Sequence, residues 1–213
     1  MMRNIKIAIV WLLIGLTPVL ISGCATPAAQ TGFLKDYSNL KPHPDIDGRH
    51  RYINPNINIG DYSNFMVDPV AVNLSDKGKE RGIDQEKLGE LAQYFHQQIV
   101  EQLEIDYRVV KSGGPGVARV RASISDIVRT KVALNIHPGT KMTGVGLGEA
   151  GMEAEVVDSV TGKTIAAAID HQSGSRLDIL GGLQFYGNAK SIMDNWAEDL
   201  KKFIDKAHGK LSE

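Results

Sequence analysis

Few side chains in this sequence stand at spacings that chemistry requires. The six histidines, His43, His50, His96, His137, His171 and His208, show no ligand spacing such as H-E-x-x-H. His43-Pro44-Asp45 near His50 reads as a polar loop, so neither a metal nor a cofactor is expected. "GLGEAG", Gly146 to Gly151, matches the dinucleotide pattern letter for letter. That pattern needs a strand before it and a helix after it, so that the helix N-terminus meets the pyrophosphate. Here a strand pattern follows instead. "TGKT", Thr161 to Thr164, has Val157 where a phosphate-binding loop needs glycine, and reads as a hairpin turn. No G-x-S-x-G nucleophile elbow is present. Carboxylates are plentiful, which leaves an envelope hydrolase working through two acids as an alternative. Arg119, Arg121, Arg129 and Lys131 alternate along one strand and could draw an anionic lipid or glycolipid; pairing with Glu153 and Glu155 across the sheet is the simpler reading.

The one cysteine, Cys24, has a more specific setting. Arg3 and Lys6 precede an apolar run from Ile7 to Ile21, and small residues close it. Fifteen helical residues rise only about 22 Å, short of the roughly 20 residues a bilayer core needs. This is the pattern of an export signal. Ile21-Ser22-Gly23-Cys24 resembles the lipobox of bacterial lipoproteins, in which the cysteine is acylated on sulfur and becomes the first residue after cleavage. A catalytic thiol would need an ordered electropositive pocket, and Ala25 to Gln30 is a small-residue tether. Ala25, rather than aspartate, follows the cysteine; by the same resemblance this implies the outer membrane, with the domain facing the periplasm. One acyl chain holds a protein marginally and several hold it firmly.

Without residues 1–23 the chain would carry 22 basic and 25 acidic residues, a balance that argues against nucleic acid as a partner. About 190 residues suffice for one core, and one domain is the default. With its cysteine lipidated, that domain has no disulfide and depends on packing.

The elements that could position a site follow from periodicity. Residues 31–64, rich in Asn, Asp, Pro, Gly and Tyr, predict an irregular arm with enough apolar weight to pack against something. "FMVDPVAVNL" predicts a strand at an edge or bulged at Pro69, which cannot donate to a ladder. Leu88, Leu91, Ala92, Phe95, Ile99 and Leu103 recur at helical steps behind Asp84, a suitable N-cap. "YRVVK" predicts a short strand. From Val117 the alternation is clear: Ala118, Val120, Ala122, Ile124, Val128 and Thr130 face one way, and the basic residues the other. Eighteen residues would extend about 59 Å, so a bend or bulge is expected near Asp126. Met152, Ala154 and Val156 begin a hairpin that turns at Asp158–Gly162. Ala189, Ile192, Met193, Trp196, Leu200, Phe203, Ile204 and Ala207 stripe a closing helix that ends at Gly209. These elements predict an α+β fold: a two-layer sandwich, mainly antiparallel, with two amphipathic helices on one sheet face. The expected organisation is a signal peptide at 1–23, a tether at 24–30, the arm at 31–64 and the α+β domain at 65–213.

"GFLKDYSNLKP", "RYINPN", "VDPVAV", "GPGVARVRASISD", "EAEVVDSVTGK" and "NWAEDL" resemble, in this order, the exported bacterial lipoproteins grouped as domain of unknown function 3313. The resemblance spans Gly32 to Ile204. It implies a lipoprotein signal and a cell-envelope location, and no activity.

With no catalytic constellation, the expected role is non-enzymatic: an outer-membrane lipoprotein that binds an envelope protein or component. Candidate binding residues are polar groups with no packing reason for their place: Asp36, Tyr37, Arg51, Tyr52 and Asn54 in the arm, and Asp68 and Arg121 on strands. Their bland alternative is to cap and brace the arm.

Overall fold

The computed structural model describes residues 30–131, 138–139, 148–174 and 186–211. The signal segment, Cys24 and most of the glycine-rich 139–151 loop lie outside them. Among the described residues the chain forms one mainly antiparallel sheet and three α-helices.

The arm is less irregular than its composition predicts. It supplies β1 (Lys41–Pro42) and β2 (His50–Ile53), and β2 pairs antiparallel with β8 (Thr164–Ser173). Four residues are too few to show an alternation, so the sequence carries no strand signal there. The "FMVDPVAVNL" strand splits at Pro69 into β3 (Asn64–Val67) and β4 (Ala71–Val72). Both run parallel to β6 (Val117–Val128), and β3 also pairs parallel with β5 (Arg108–Val109). These parallel pairs are the exception in a sheet that is mainly antiparallel, as expected. A parallel partner requires a long crossover, and α2 (Gln85–Glu104) between β3 and β5 supplies one. β7 (Glu149–Asp158) sits between β6 and β8, giving the order β1-β2-β8-β7-β6-β3-β5.

Local chemistry explains the helix and turn boundaries. Asp84 caps α2 by accepting from Glu86 N at 2.8 Å. A five-residue helix, α1 (Asp76–Glu80), was not foreseen, because its residues have no apolar period; Ser75 Oγ caps it, accepting from Gly78 N at 3.1 Å. Asp158 holds the β7–β8 turn by accepting from Thr161 N and Thr161 Oγ1, each at 2.7 Å, and Gly162 takes a φ of 67°. The last helix, α3 (Gly187–Ala207), ends in Gly209 at φ 69°.

α2 and α3 pack against each other and share the main core with β6 and β7. All six apolar residues foreseen on α2 are buried there. The expected bulge falls between Ile124 and Asp126. It reverses the phase of the strand, so Ile127 rather than Val128 enters the core. Ala167 and Ile169, odd-numbered residues of β8, join Leu34 in a second, smaller cluster under arm residues Phe33, Tyr37, Leu40 and Tyr52.

Candidate functional site

Three groups of polar and apolar residues compete as the site. The first centres on Glu153, a wholly buried carboxylate on β7. A buried carboxylate needs donors, and the arm brings three. Thr31 N donates to Oε1 at 2.5 Å, and Oε2 accepts from Tyr37 Oη at 2.5 Å and from Leu34 N at 3.4 Å. Burial first, and then the bond to Glu153, pushes the Tyr37 hydroxyl up to about 12, so it stays a donor. The second group is the basic row. Arg119 makes a two-pronged contact with Asp68, at 2.8 and 2.7 Å. Arg121 binds Glu155, approaches Asp68 at 3.8 Å and lies over the Phe33 ring. Arg129 donates to Tyr186 Oη at 2.9 Å. The foreseen cross-strand pairing therefore holds for Glu155, while Glu153 serves the arm.

The third group is a cavity of about 450 Å³ between the second half of α3 and the β2–β8–β7 part of the sheet. Ala154, Ala166 and Ala168 line its floor, and Trp196, Leu200 and Phe203 its helical side. Trp196 Nε1 donates at 2.9 Å to Asp170 Oδ2, which Arg49 Nε also reaches at 2.6 Å. Arg49 extends to Asp199 at 2.8 Å, so one guanidinium ties the arm to both β8 and α3. Two acids border the cavity, Glu155 and Asp199. Glu155 is spent on Arg121 and Asp199 on Arg49, so they do not form the facing pair that hydrolysis needs.

Three of the seven candidate residues, Asp36, Tyr37 and Asn54, brace the arm. Asp36 accepts from Ser38 N and Asn39 Nδ2, closing a turn. Asn54 donates to Thr164 O at 2.8 Å and accepts from Asn56 N at 2.9 Å. Tyr37 holds Glu153, and Asp68 and Arg121 belong to the ion-pair row. Only Arg51 and Tyr52 border the cavity.

Residues 29–200 match the family described as "Protein of unknown function (DUF3313)". The chain belongs to this family. It is 24% identical over 220 residues to the uncharacterized lipoprotein YdcL of Escherichia coli (strain K12), a match covering 95% of this chain and 98% of that protein. Two solved structures of PelC dodecamers from Paraburkholderia phytofirmans, one of a point variant, share 11% and 12% identity with it. Each covers 73% of this chain, at TM-scores of 0.45 and 0.42, and the matches cover 97% and 95% of those chains.

In this DUF3313 chain three residues carry no local sequence signal for their role: Glu153, Arg49 and Asp170. Glu153 passed as a partner for arginine, since nothing local marks a carboxylate that will receive amides more than 110 positions away. Arg49 and Asp170 went unnoticed because the strand pairing of β2 with β8 is what brings them together. No described helix is long and apolar enough to cross a membrane.

Proposed function

We propose that this chain is an outer-membrane-anchored, periplasm-facing lipoprotein with a non-enzymatic binding role in the cell envelope. The family and the lipoprotein relative support the envelope assignment, and the lipobox resemblance at Ile21–Cys24 makes Cys24 the anchor. On this reading the fold is a two-layer sandwich. α2 and α3 cover the sheet face that carries Ala122, Ala154 and Met152, and the arm covers the face that carries Glu153, Ala167 and Ile169.

The observation that carries the binding role is the 450 Å³ cavity, apolar within and bordered by acids already committed to arginine. Ligand sites are typically concave and mostly apolar with a few convergent polar groups. The committed acids weigh against the hydrolase alternative. The ion pairs of Arg119 and Arg121 weigh against lipid binding through the basic strand face, because an anionic ligand there must displace Asp68 and Glu155.

Two measurements test the proposal. Cys24→Ser should leave the uncleaved precursor mass and remove the acyl chains; a variant with unchanged mass and unchanged outer-membrane fractionation refutes the anchor. A photoreactive residue in place of Ile53, at the cavity mouth, should give a specific adduct in intact cells. Failure to form one, alongside hydrolysis of an envelope polymer by the purified protein, overturns the binding role.

A further inference from the structure

The cavity beside α3 is a gap that ordinary packing would close. Ala122 on β6 pairs with Ala154 on β7, Ala154 with Ala168 on β8, and Ala168 with Arg51 on β2. Three alanines thus lie side by side across the middle of the sheet and lead to a cation. The adjoining row, Val120 and Val156, is larger, and so is the Ile124–Met152 pair on the other side. Protein interiors leave few voids larger than a water molecule. Here Ala154 and Ala168 stay partly accessible although they lie on interior strands. Opposite them, Leu200 and Phe203 are only partly buried, although both belong to the apolar stripe of α3. Ile53, 46% exposed, and Leu211, 45% exposed, continue the apolar surface to the mouth.

Cations outnumber acids along the cavity: Arg49, Arg51, Lys202 and Lys206 against Glu155 and Asp199. Lys202 also pairs with Glu198, one helical turn away, at 2.9 Å. Asp199 is held by Arg49, and the Glu155 carboxylate is bound by Arg121. His43 registers the resulting field: burial first, then the charges of Arg51 and Arg49, hold its imidazole below the ordinary range, so it is neutral at pH 7.

We propose that this cavity binds one fatty acid of about twelve carbons, its methylenes lying over the Ala122–Ala154–Ala168 row and its carboxylate meeting Arg51 and the lysines of α3. The proposal deepens the binding role above and rests on it. A volume near the low end of the range for ligand sites favours one chain over the two of a phospholipid. An apolar floor with no free acid suits methylenes, and a cationic rim suits the carboxylate.

The test uses the intact processed protein reconstituted in phosphatidylcholine vesicles. The probe is a twelve-carbon fatty acid with a photoreactive diazirine at its far end, and adducts are mapped by peptide mass spectrometry. Label is expected on residues 196–207 and on β7 and β8, displaced by unlabelled dodecanoate. Ala154→Leu and Ala168→Leu should each abolish it while the melting temperature holds. Arg51→Glu combined with Lys206→Glu should weaken displacement by dodecanoate about tenfold, two exposed ion pairs' worth, and leave displacement by dodecanol unchanged. Label confined to residues 24–40 or to the lipid overturns the proposal, as does a charge-reversed protein that labels like the parent. Better displacement by phosphatidylglycerol than by dodecanoate also overturns it. If the leucine variants do not fold, the charge-reversal arm still decides. A protein adduct at Ile53 with no fatty-acid label would leave the binding role standing and refute only its ligand.

Discussion

Replacing Glu153 by glutamine should undock the beginning of the arm and little else. The carboxylate accepts from Thr31 N, Leu34 N and Tyr37 Oη through two oxygens. Glutamine has one acceptor oxygen, so in either orientation at least one buried donor faces an amide N–H. The bonds that survive change from charge-assisted to neutral, roughly halving their strength. Hydrogen bonds to charged groups contribute about 1.5–3 kcal/mol each, so one loss and two weakenings amount to at least about 3 kcal/mol. Hydrogen exchange reads this directly. The amides of Thr31 and Leu34 should exchange on the order of 100-fold faster, since about 1.4 kcal/mol is a factor of ten. Amides in α2, such as that of Leu91, should keep their protection, because α2 belongs to the main core and Leu34 to the small cluster. Tyr37→Phe alone should cost less, and combined with Glu153→Gln it should cost less than the sum, as the two share one bond. Unchanged exchange at Thr31 and Leu34 would refute the clasp. Equal loss of protection across α2 would show that Glu153 acts on the whole fold instead. The clasp also sets reach. If Cys24 is the anchor, as proposed, residues 24–30 can reach at most about 25 Å with the arm docked, and residues 24–40 at most about 60 Å with it freed.

Two further substitutions probe the groups that hold the arm and the bulge. Arg49→Ala strips Asp170 and Asp199 of their cation at once, and leaving the fully buried Asp170 unpaired should cost about 3 kcal/mol, read as a lower midpoint in urea with an unchanged slope. Asp126 reports on acid. Burial, the largest influence, raises its carboxyl, but His171, 3.6 Å away, and the Arg81 guanidinium outweigh it and hold the group below the usual carboxylate range. A lowered folded-state value contributes stability that is present above about pH 4 and is lost as pH falls below it. Asp126→Asn should therefore flatten the acid limb of the stability profile; a limb identical to the parent's would refute the assignment.

What the sequence disclosed was whatever depends on near neighbours. Asp84 and the six apolar residues behind it specify α2, Asp158 and Gly162 specify a turn, and Pro69 specifies a break. Even the bulge near Asp126 follows from length alone. What stayed hidden depends on register between distant strands. The alanine row exists only because β6, β7, β8 and β2 align Ala122, Ala154, Ala168 and Arg51. Shifting one strand by a single residue would turn every partner to the other face. The parallel placement of β3 and β4 was hidden for the same reason, since an apolar alternation reads alike in either direction. Arg121 is a candidate in the sequence because nothing near it gives a packing reason for its place; its partners Glu155, Asp68 and Phe33 come from three separate segments.

Both ends of the strand order are stubs: Lys41–Pro42 at one end and Arg108–Val109 at the other. A sheet edge normally offers a row of free amides and carbonyls on which another chain can build. Here each terminal strand offers two residues, and at one end these are a proline with no amide hydrogen and a lysine beside it. On the proposed anchoring at Cys24, copies held in one plane would meet side by side far more often than copies in free solution. For such a crowd, terminal strands of two residues would give a neighbouring domain little to build a further strand on.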